Sequence, residues 1–426
     1  LAAPGDAVGQ RSVDDVHAES FAAAWRIIYT THPDTSFNGV NWVALGDSLR
    51  PRATGVSRDS VRTLIRAMLA RLNQSHFALI PREDADPPTP ATGSATVGLD
   101  VRLLGSEVVV TAVDPGGPAD LAGVRPGWVL VAVDTILADA LLGQLRQRQS
   151  RYSLAVRVWG AVRSHLQGRE GDTVRLRFRD QADQVVELVL TRRQDDSLPV
   201  KFGDLPTFYA RFGDQLVHRG VTRAGVIWFN TWMAPLLARL DSAVEAYRDA
   251  HGIVLDLRGN QGGLGAMVSG VAGHFTPQAD TLGSLRTRTA ELFFISNPRT
   301  VSPDGRRVQP FQGPVAILLD ELSGSASEVF AGGLQALGRA RVFGQTSLGA
   351  VLPAVWHRLP NGDVLYHAIG DFRTARGVLL EGRGVIPDEP VQLSRAALLA
   401  DRDPVLEAAL DWIARAHSGR LEGGLP

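Results

Sequence analysis

Three changes of pattern along the chain predict an α/β protein with a helical N-terminal segment and a β-rich middle. Apolar residues recur at helical spacing over 13–79, strand-type runs fill 95–193, and short apolar runs alternate with helical or glycine-rich stretches over 205–395. The boundaries set by these shifts are 1–92 for the helical segment and its linker, 93–195 for the middle unit and 196–426 for the α/β unit. A chain of 426 residues is long enough to bury several cores.

The helical segment rests on "VDDVHAESFAAAWRIIYTTHP", which stops near Pro33, and on "SRDSVRTLIRAMLARLNQSHF". In the second, Ser57 is placed to cap the helix, and Val61, Leu64, Ile65, Met68 and Leu72 fall on one face. "PREDADPPTPATGSA" follows and reads as a linker. In the middle unit "VGLDVRLLGSEVVVTAV", "GDTVRLRFRD" and "VVELVLTR" read as strands, and 135–168 reads as a helical insertion. In the α/β unit the buried strands are "AGVIWFN", "GIVLDLRG", "GPVAILLD" and "ARVFGQ".

Composition narrows the function. The chain is 44% hydrophobic and 21% charged with a formal net charge of -1, which argues against a nucleic-acid or anionic-membrane partner recruited by charge. No apolar run approaches the roughly 18 residues that span a bilayer. There is no cysteine, hence no disulfide and no thiol nucleophile. The opening "LAAPGDAVGQ" reads as a mature end left by signal removal, so export to the periplasm or the exterior is expected. Lys201 is the single lysine, so any lysine base has one candidate.

Two stretches carry chemistry. "VLDLRGNQGG" ends a buried strand in a glycine turn, whose N–H groups can approach a ligand closely. "ELSGSASEVFAGG" sets Ser325 between small residues, immediately before an apolar helix. Ser325 is either an ordinary helix N-cap or a nucleophile on a tight corner.

The order of these stretches, followed by "GRGVIPDEPV", resembles the catalytic domain of the tail-specific, or C-terminal processing, serine peptidases. That wider family includes the tricorn core and the retinoid-binding repeats of a photoreceptor matrix protein. "VDPGGPADLAGVRPGWVLVAVD" resembles a PDZ domain, and "FNGVNW" and "LNQSHF" fit the N-terminal part. The resemblance implies a crotonase-like, ClpP-like α/β catalytic domain. It makes Ser325 the nucleophile, with the Ala326 N–H and that of Gly262 or Gly263 forming the oxyanion hole. The PDZ resemblance puts a carboxylate-binding loop at Val97, Gly98, Leu99 and Asp100, which would receive the C-terminal end of a polypeptide; a spacer that binds nothing is the alternative.

One departure decides the branch. The processing peptidases carry Thr-x-Gly-Lys with the lysine as base. Here Thr346, Ser347, Leu348 and Gly349 are followed by Ala350, which cannot take a proton, and Lys201 matches no base position. The tricorn-like branch uses instead a Ser-His pair ahead of the PDZ domain and a glutamate near a Gly-Val-x-Pro-Asp motif. Ser75, His76 and Glu381 match it, so the resemblance makes His76 the general base, oriented by Glu381 through Ser75. Taken alone, His76 reads as a core histidine.

Ser327 reads as a packing or capping residue rather than a second nucleophile, and Glu328 as a structural residue, such as a first-turn anion. His357 and His367 lie in strand-like sequence within possible reach of the site. No cluster has metal-ligand spacing, no phosphate-cradling motif occurs, and no cofactor is called for. The expected activity is serine endopeptidase hydrolysis of protein substrates through an acyl-enzyme. The alternative is an inactive relative that binds a peptide or a small apolar ligand, and a third reading is a regulatory PDZ adaptor.

Overall fold

The computed structural model describes residues 13–85, 95–148 and 150–422. The opening decapeptide and most of the Pro-rich linker lie outside the described residues. A six-stranded sheet organises the C-terminal half. Phe212–Arg219 pairs antiparallel with Thr222–Phe229, and Gly252–Asp256, Val315–Leu319, Arg341–Gly344 and Glu389–Pro390 then follow in parallel. Parallel strands are buried on both faces, which is why they read as unbroken apolar runs.

The two faces separate at a period of two residues. Ile253, Leu255, Ile317 and Leu319 join one core with Phe330 and Leu334 of the helix Ala326–Ala336. Val254, Ala316 and Leu318 join a second with Val405, Ala409 and Ile413 of the helix Pro404–Glu422.

The middle unit has its own core under the antiparallel order Leu99–Leu104, Glu107–Val113, Val129–Val133, Thr173–Arg179 and Val185–Thr191. The helix Leu154–Leu166 packs against Leu99–Leu104, the edge strand.

The N-terminal helices bury Phe21, Ile28, Trp42, Ile65, Met68 and Leu72 together with Leu359 and Leu365 of the C-terminal half. Ser57 caps its helix by accepting the Ser60 N–H, and the predicted face of that helix is buried. The segment 13–79 is not helical throughout, however. Ala78–Ile80 is a strand that pairs antiparallel with Val364–Ala368. Arg62, on the helix Arg58–Ala70, adds a buried ion pair to Asp363 at 2.6 Å. These contacts tie the residues just before Ala78 to the far end of the chain. Among the described residues no helix is long and apolar enough to cross a membrane, and no group of three His, Asp or Glu side chains could hold a metal ion.

Candidate active site

Two neighbouring parallel strands deliver the core of the site. Gly252–Asp256 runs into the glycine turn and Val315–Leu319 runs into Ser325, with Asp256 paired to Leu318. Both segments therefore emerge side by side at the carboxyl ends of the strands, where open α/β sheets bind ligands. Asn260 stitches them together. Its Oδ1 accepts the Gly262 N–H at 3.0 Å and its Nδ2 donates to the Phe229 carbonyl at 2.8 Å. Its own carbonyl accepts from the Gly324 N–H and the Ser327 hydroxyl, each at 3.0 Å. Gly262 has φ +102°, and a Cβ there would meet Ser325 Cβ at 2.6 Å. At Gly263, with φ +146°, a Cβ would meet the Trp232 carbonyl oxygen at 2.4 Å. Only glycine lets the turn lie this close to the serine.

Ser325 occupies the N-cap position of Ala326–Ala336, but with φ 52° and ψ -116° rather than the extended backbone of an ordinary cap. A serine with positive φ is strained by roughly 1–3 kcal/mol. Its N–H is held by the Ala350 carbonyl at 2.9 Å and by Glu328 Oε2 at 3.0 Å. Glu328 is fully buried and gathers this corner: it also accepts from the Ser347 hydroxyl at 2.5 Å and from the N–H groups of Gly349 and Ala350 at 2.7 and 2.9 Å. Burial pushes its carboxyl up to about 7, against these donors, which favour the anion. Glu328→Gln would turn an amide NH2 toward N–H donors. Each buried group so stranded costs about 1–3 kcal/mol, so the variant should melt several degrees lower in a thermal scan and lose the Ser325 conformation.

Ser75, His76 and Glu381 form a continuous hydrogen-bonded chain. Glu381 Oε1 accepts the Ser75 N–H at 2.9 Å, and Oε2 accepts the Ser75 hydroxyl at 2.8 Å and the Val351 N–H at 3.1 Å. Ser75 Oγ lies 2.7 Å from His76 Nδ1. A carboxylate can only accept, so the single Ser75 hydroxyl proton goes to Glu381. His76 Nδ1 must then carry its own proton and donate it to Ser75, which leaves Nε2 as an unprotonated acceptor. Burial, and secondarily the Arg151 guanidinium, lower the His76 imidazole to about 4. Like Ser325, His76 has a positive φ, 59°. The Tyr366 ring lies 5.7 Å from its own.

Ser325 and His76 line one cavity of about 1340 Å³, together with Gly262, Gly263 and Tyr366. Among the described residues no hydrogen bond joins Ser325 to His76; such bonds commonly tighten only when a substrate is bound. The cavity runs on past Leu99 and Asp100 to Trp159 and Arg163.

The other residues singled out in the sequence fall as follows. Gly262 and Gly263 are not equivalent, because the Asn260 side chain already takes the Gly262 N–H. In the loop 97–100, Val97 is fully buried and the Gly98 N–H donates to Thr96 Oγ1 at 3.3 Å. Asp100 Oδ1 accepts from Trp159 Nε1 at 2.8 Å, across the space between edge strand and helix. His357 and His367 stack on each other at 5.1 Å and do not line the cavity. Lys201 donates to the Ala85 carbonyl and does not line the cavity that Ser325 lines. Ser327 is buried and bonded to Asn260 and Trp232, as packing requires.

Sequence reading missed Asn260, Val351 and Arg151. Asn260 had a signal, the one side chain inside a glycine run that can bond its own turn. Val351 and Arg151 had none.

The family model described as "Peptidase family S41" matches residues 223–391. A C-terminal processing peptidase from the chloroplast of Tetradesmus obliquus is 28% identical over 397 residues, covering 90% of this chain and 79% of that protein. A carboxyl-terminal-processing protease of Synechocystis is 24% identical over 400 residues, covering 92% and 85%. Among solved structures, the photosystem II D1 C-terminal processing protease superposes with a TM-score of 0.60 at 24% identity, covering 93% of this chain and 96% of that one. Mature CPAF does so with a TM-score of 0.63 at 12% identity, covering 96% and 98%. These two likenesses are of fold.

Proposed function

We propose that this chain, a serine-type peptidase with homologues among the C-terminal processing peptidases, cleaves polypeptides with a Ser325–His76–Ser75–Glu381 site of the tricorn type in place of a Ser–Lys pair. The observation that carries this reading is the hydrogen-bonded run from Glu381 through Ser75 to His76, opening on the cavity that Ser325 lines. Ser325 Oγ attacks the scissile carbonyl and its proton passes to His76 Nε2. The imidazolium returns that proton to the leaving amine, and water then hydrolyses the acyl-enzyme. The N–H groups of Gly263 and Ala326 are the donors for the oxyanion. Removing one such donor typically costs about 100- to 1000-fold in kcat.

In this proposal residues 93–195 are a PDZ-like unit that presents the substrate's C-terminal end. Two features support it: the edge strand Leu99–Leu104 faces the helix Leu154–Leu166, and the space between them continues into the Ser325 cavity. An extended chain could add to that edge once the Trp159–Asp100 bond opens. Arg102 of the edge strand also donates to Asp320 at 3.0 Å, and Asp320 accepts the Gly259 N–H at 2.8 Å, so groove and glycine turn share a side chain.

The test is a pair of measurements on the intact protein. A fluorophosphonate should label one serine, Ser325. A long unfolded substrate with a free C-terminal carboxylate should be cut faster than the same chain amidated at that end. Absence of labelling together with absence of cleavage would favour a binding protein. Equal rates on the two substrates would reduce the middle unit to a spacer.

A further inference from the structure

Arg151 belongs to neither strand nor helix; it sits in the loop between the helices Ala138–Gln147 and Leu154–Leu166 of the middle unit. Its side chain nevertheless reaches the C-terminal half. Nη2 lies 2.9 Å from Glu381 Oε1 and donates to the Gly349 carbonyl at 2.9 Å, and the guanidinium covers the Tyr152 ring at 4.8 Å from its centroid. Both partners of the ion pair are nearly buried, at 13% and 10% exposure, so water screens it little. Nη1 is buried with no hydrogen-bond partner.

Glu381 does not need Arg151 to stay in place. Two N–H groups and the Ser75 hydroxyl already hold both of its oxygens. What Arg151 contributes is charge, and that charge meets the same Oε1 that accepts the Ser75 N–H. A guanidinium bonded through Nη2 while Nη1 is stranded is an expensive way to scaffold a loop. It does, however, offset the carboxylate that stabilises a charged histidine.

Resting on the Ser75–His76–Glu381 reading above, we propose that Arg151 is a positioning residue of the reaction: it acts through Glu381 to hold down the basicity of His76. When Ser325 gives up its proton, His76 becomes a cation. Glu381 favours that cation through Ser75, and Arg151 opposes it by sharing the carboxylate and by its own field. Of the other titratable groups here, Tyr366, from the strand Val364–Ala368, faces the imidazole, and Tyr152, from the same loop as Arg151, lies against the guanidinium. Burial raises both phenols, Tyr366 to about 12, so neither changes charge near neutrality. Arg151 is thus the one cation in this group that opposes the histidine cation.

The experiment compares wild type with Arg151→Gln, which keeps a donor for the Gly349 carbonyl, and Arg151→Lys, which keeps the charge. Each is made with and without Glu381→Gln. Readouts are kcat and kcat/KM against pH, and the pH midpoint of His76 by NMR of carbon-labelled histidine, identified by its loss in His76→Ala. Arg151→Gln should raise the His76 midpoint and the acidic limb of kcat/KM by about one pH unit and raise kcat at neutral pH by about threefold or more. Arg151→Lys should stay near wild type. The shift should shrink when Glu381 is already Gln, because the two charges act as a pair. An unmoved midpoint in Arg151→Gln, or an Arg151→Lys that behaves like Arg151→Gln, overturns the proposal. If Glu381→Gln alone leaves both midpoint and kcat unchanged, the relay reading itself fails. If Glu381→Gln lowers both while Arg151→Gln moves neither, only the role of Arg151 is lost.

Discussion

Ser325→Ala should abolish cleavage and fluorophosphonate labelling, with kcat falling by roughly a million-fold, the scale of nucleophile removal in a serine peptidase. The fold should survive. The backbone N–H that Ala350 and Glu328 hold is kept in alanine, so the corner keeps its anchors. A companion variant separates chemistry from backbone strain. Ser325→Gly should be equally inactive yet melt higher than Ser325→Ala. Glycine adopts φ 52° without steric cost, whereas alanine retains the strain of a Cβ at that angle. Catalytic activity in either variant would show that another group is the nucleophile. A lower melting point for Ser325→Gly would mean that the strain argument is wrong even if the assignment of Ser325 is right.

What the sequence disclosed follows the range over which each signal acts. Buried parallel strands such as Val315–Leu319 are unbroken apolar runs, and the helix face from Val61 to Met68 repeats every turn, so both are visible locally. Ala78–Ile80 is not. Three residues between a helix and a proline have no period to read, and they are a strand only because Val364–Ala368 lies beside them. Ser325 was legible as a serine on a small-residue corner, though not the left-handed backbone that distinguishes it from a cap. Ser75, His76 and Glu381 are unremarkable singly, and only a family resemblance joined them. Gly262 and Gly263 look alike as neighbours in the sequence, and what separates them is the Asn260 side chain, which takes the N–H two residues on. Arg151 was further out still: nothing near it in sequence announces a partner in Glu381.

His76→Ala should lower kcat by at least about 100-fold, the lower range for a positioned base, and its pH profile should separate a histidine base from a lysine. In the proposed reaction the base must be unprotonated to accept the Ser325 proton. Burial, reinforced by Arg151, lowers His76 to about 4. The neutral form therefore persists well below neutrality, and kcat/KM of the wild-type enzyme should hold until pH falls toward about 4 before its acidic limb begins. A lysine base loses its proton only at far higher pH unless burial drives it down, and Lys201 instead donates to the Ala85 carbonyl and does not line the cavity. Lys201→Ala should accordingly leave kcat nearly unchanged. The residual activity of His76→Ala should lack the low-pH limb, because the group that titrates there is gone. Ser325 would then lose its proton to hydroxide, so the residual rate should climb with pH. Loss of activity in Lys201→Ala alongside an active His76→Ala would transfer the base to lysine. An acidic limb near 4 that survives in His76→Ala would assign that titration to a group other than the imidazole, and the chain from Glu381 through Ser75 would have no proton to steer.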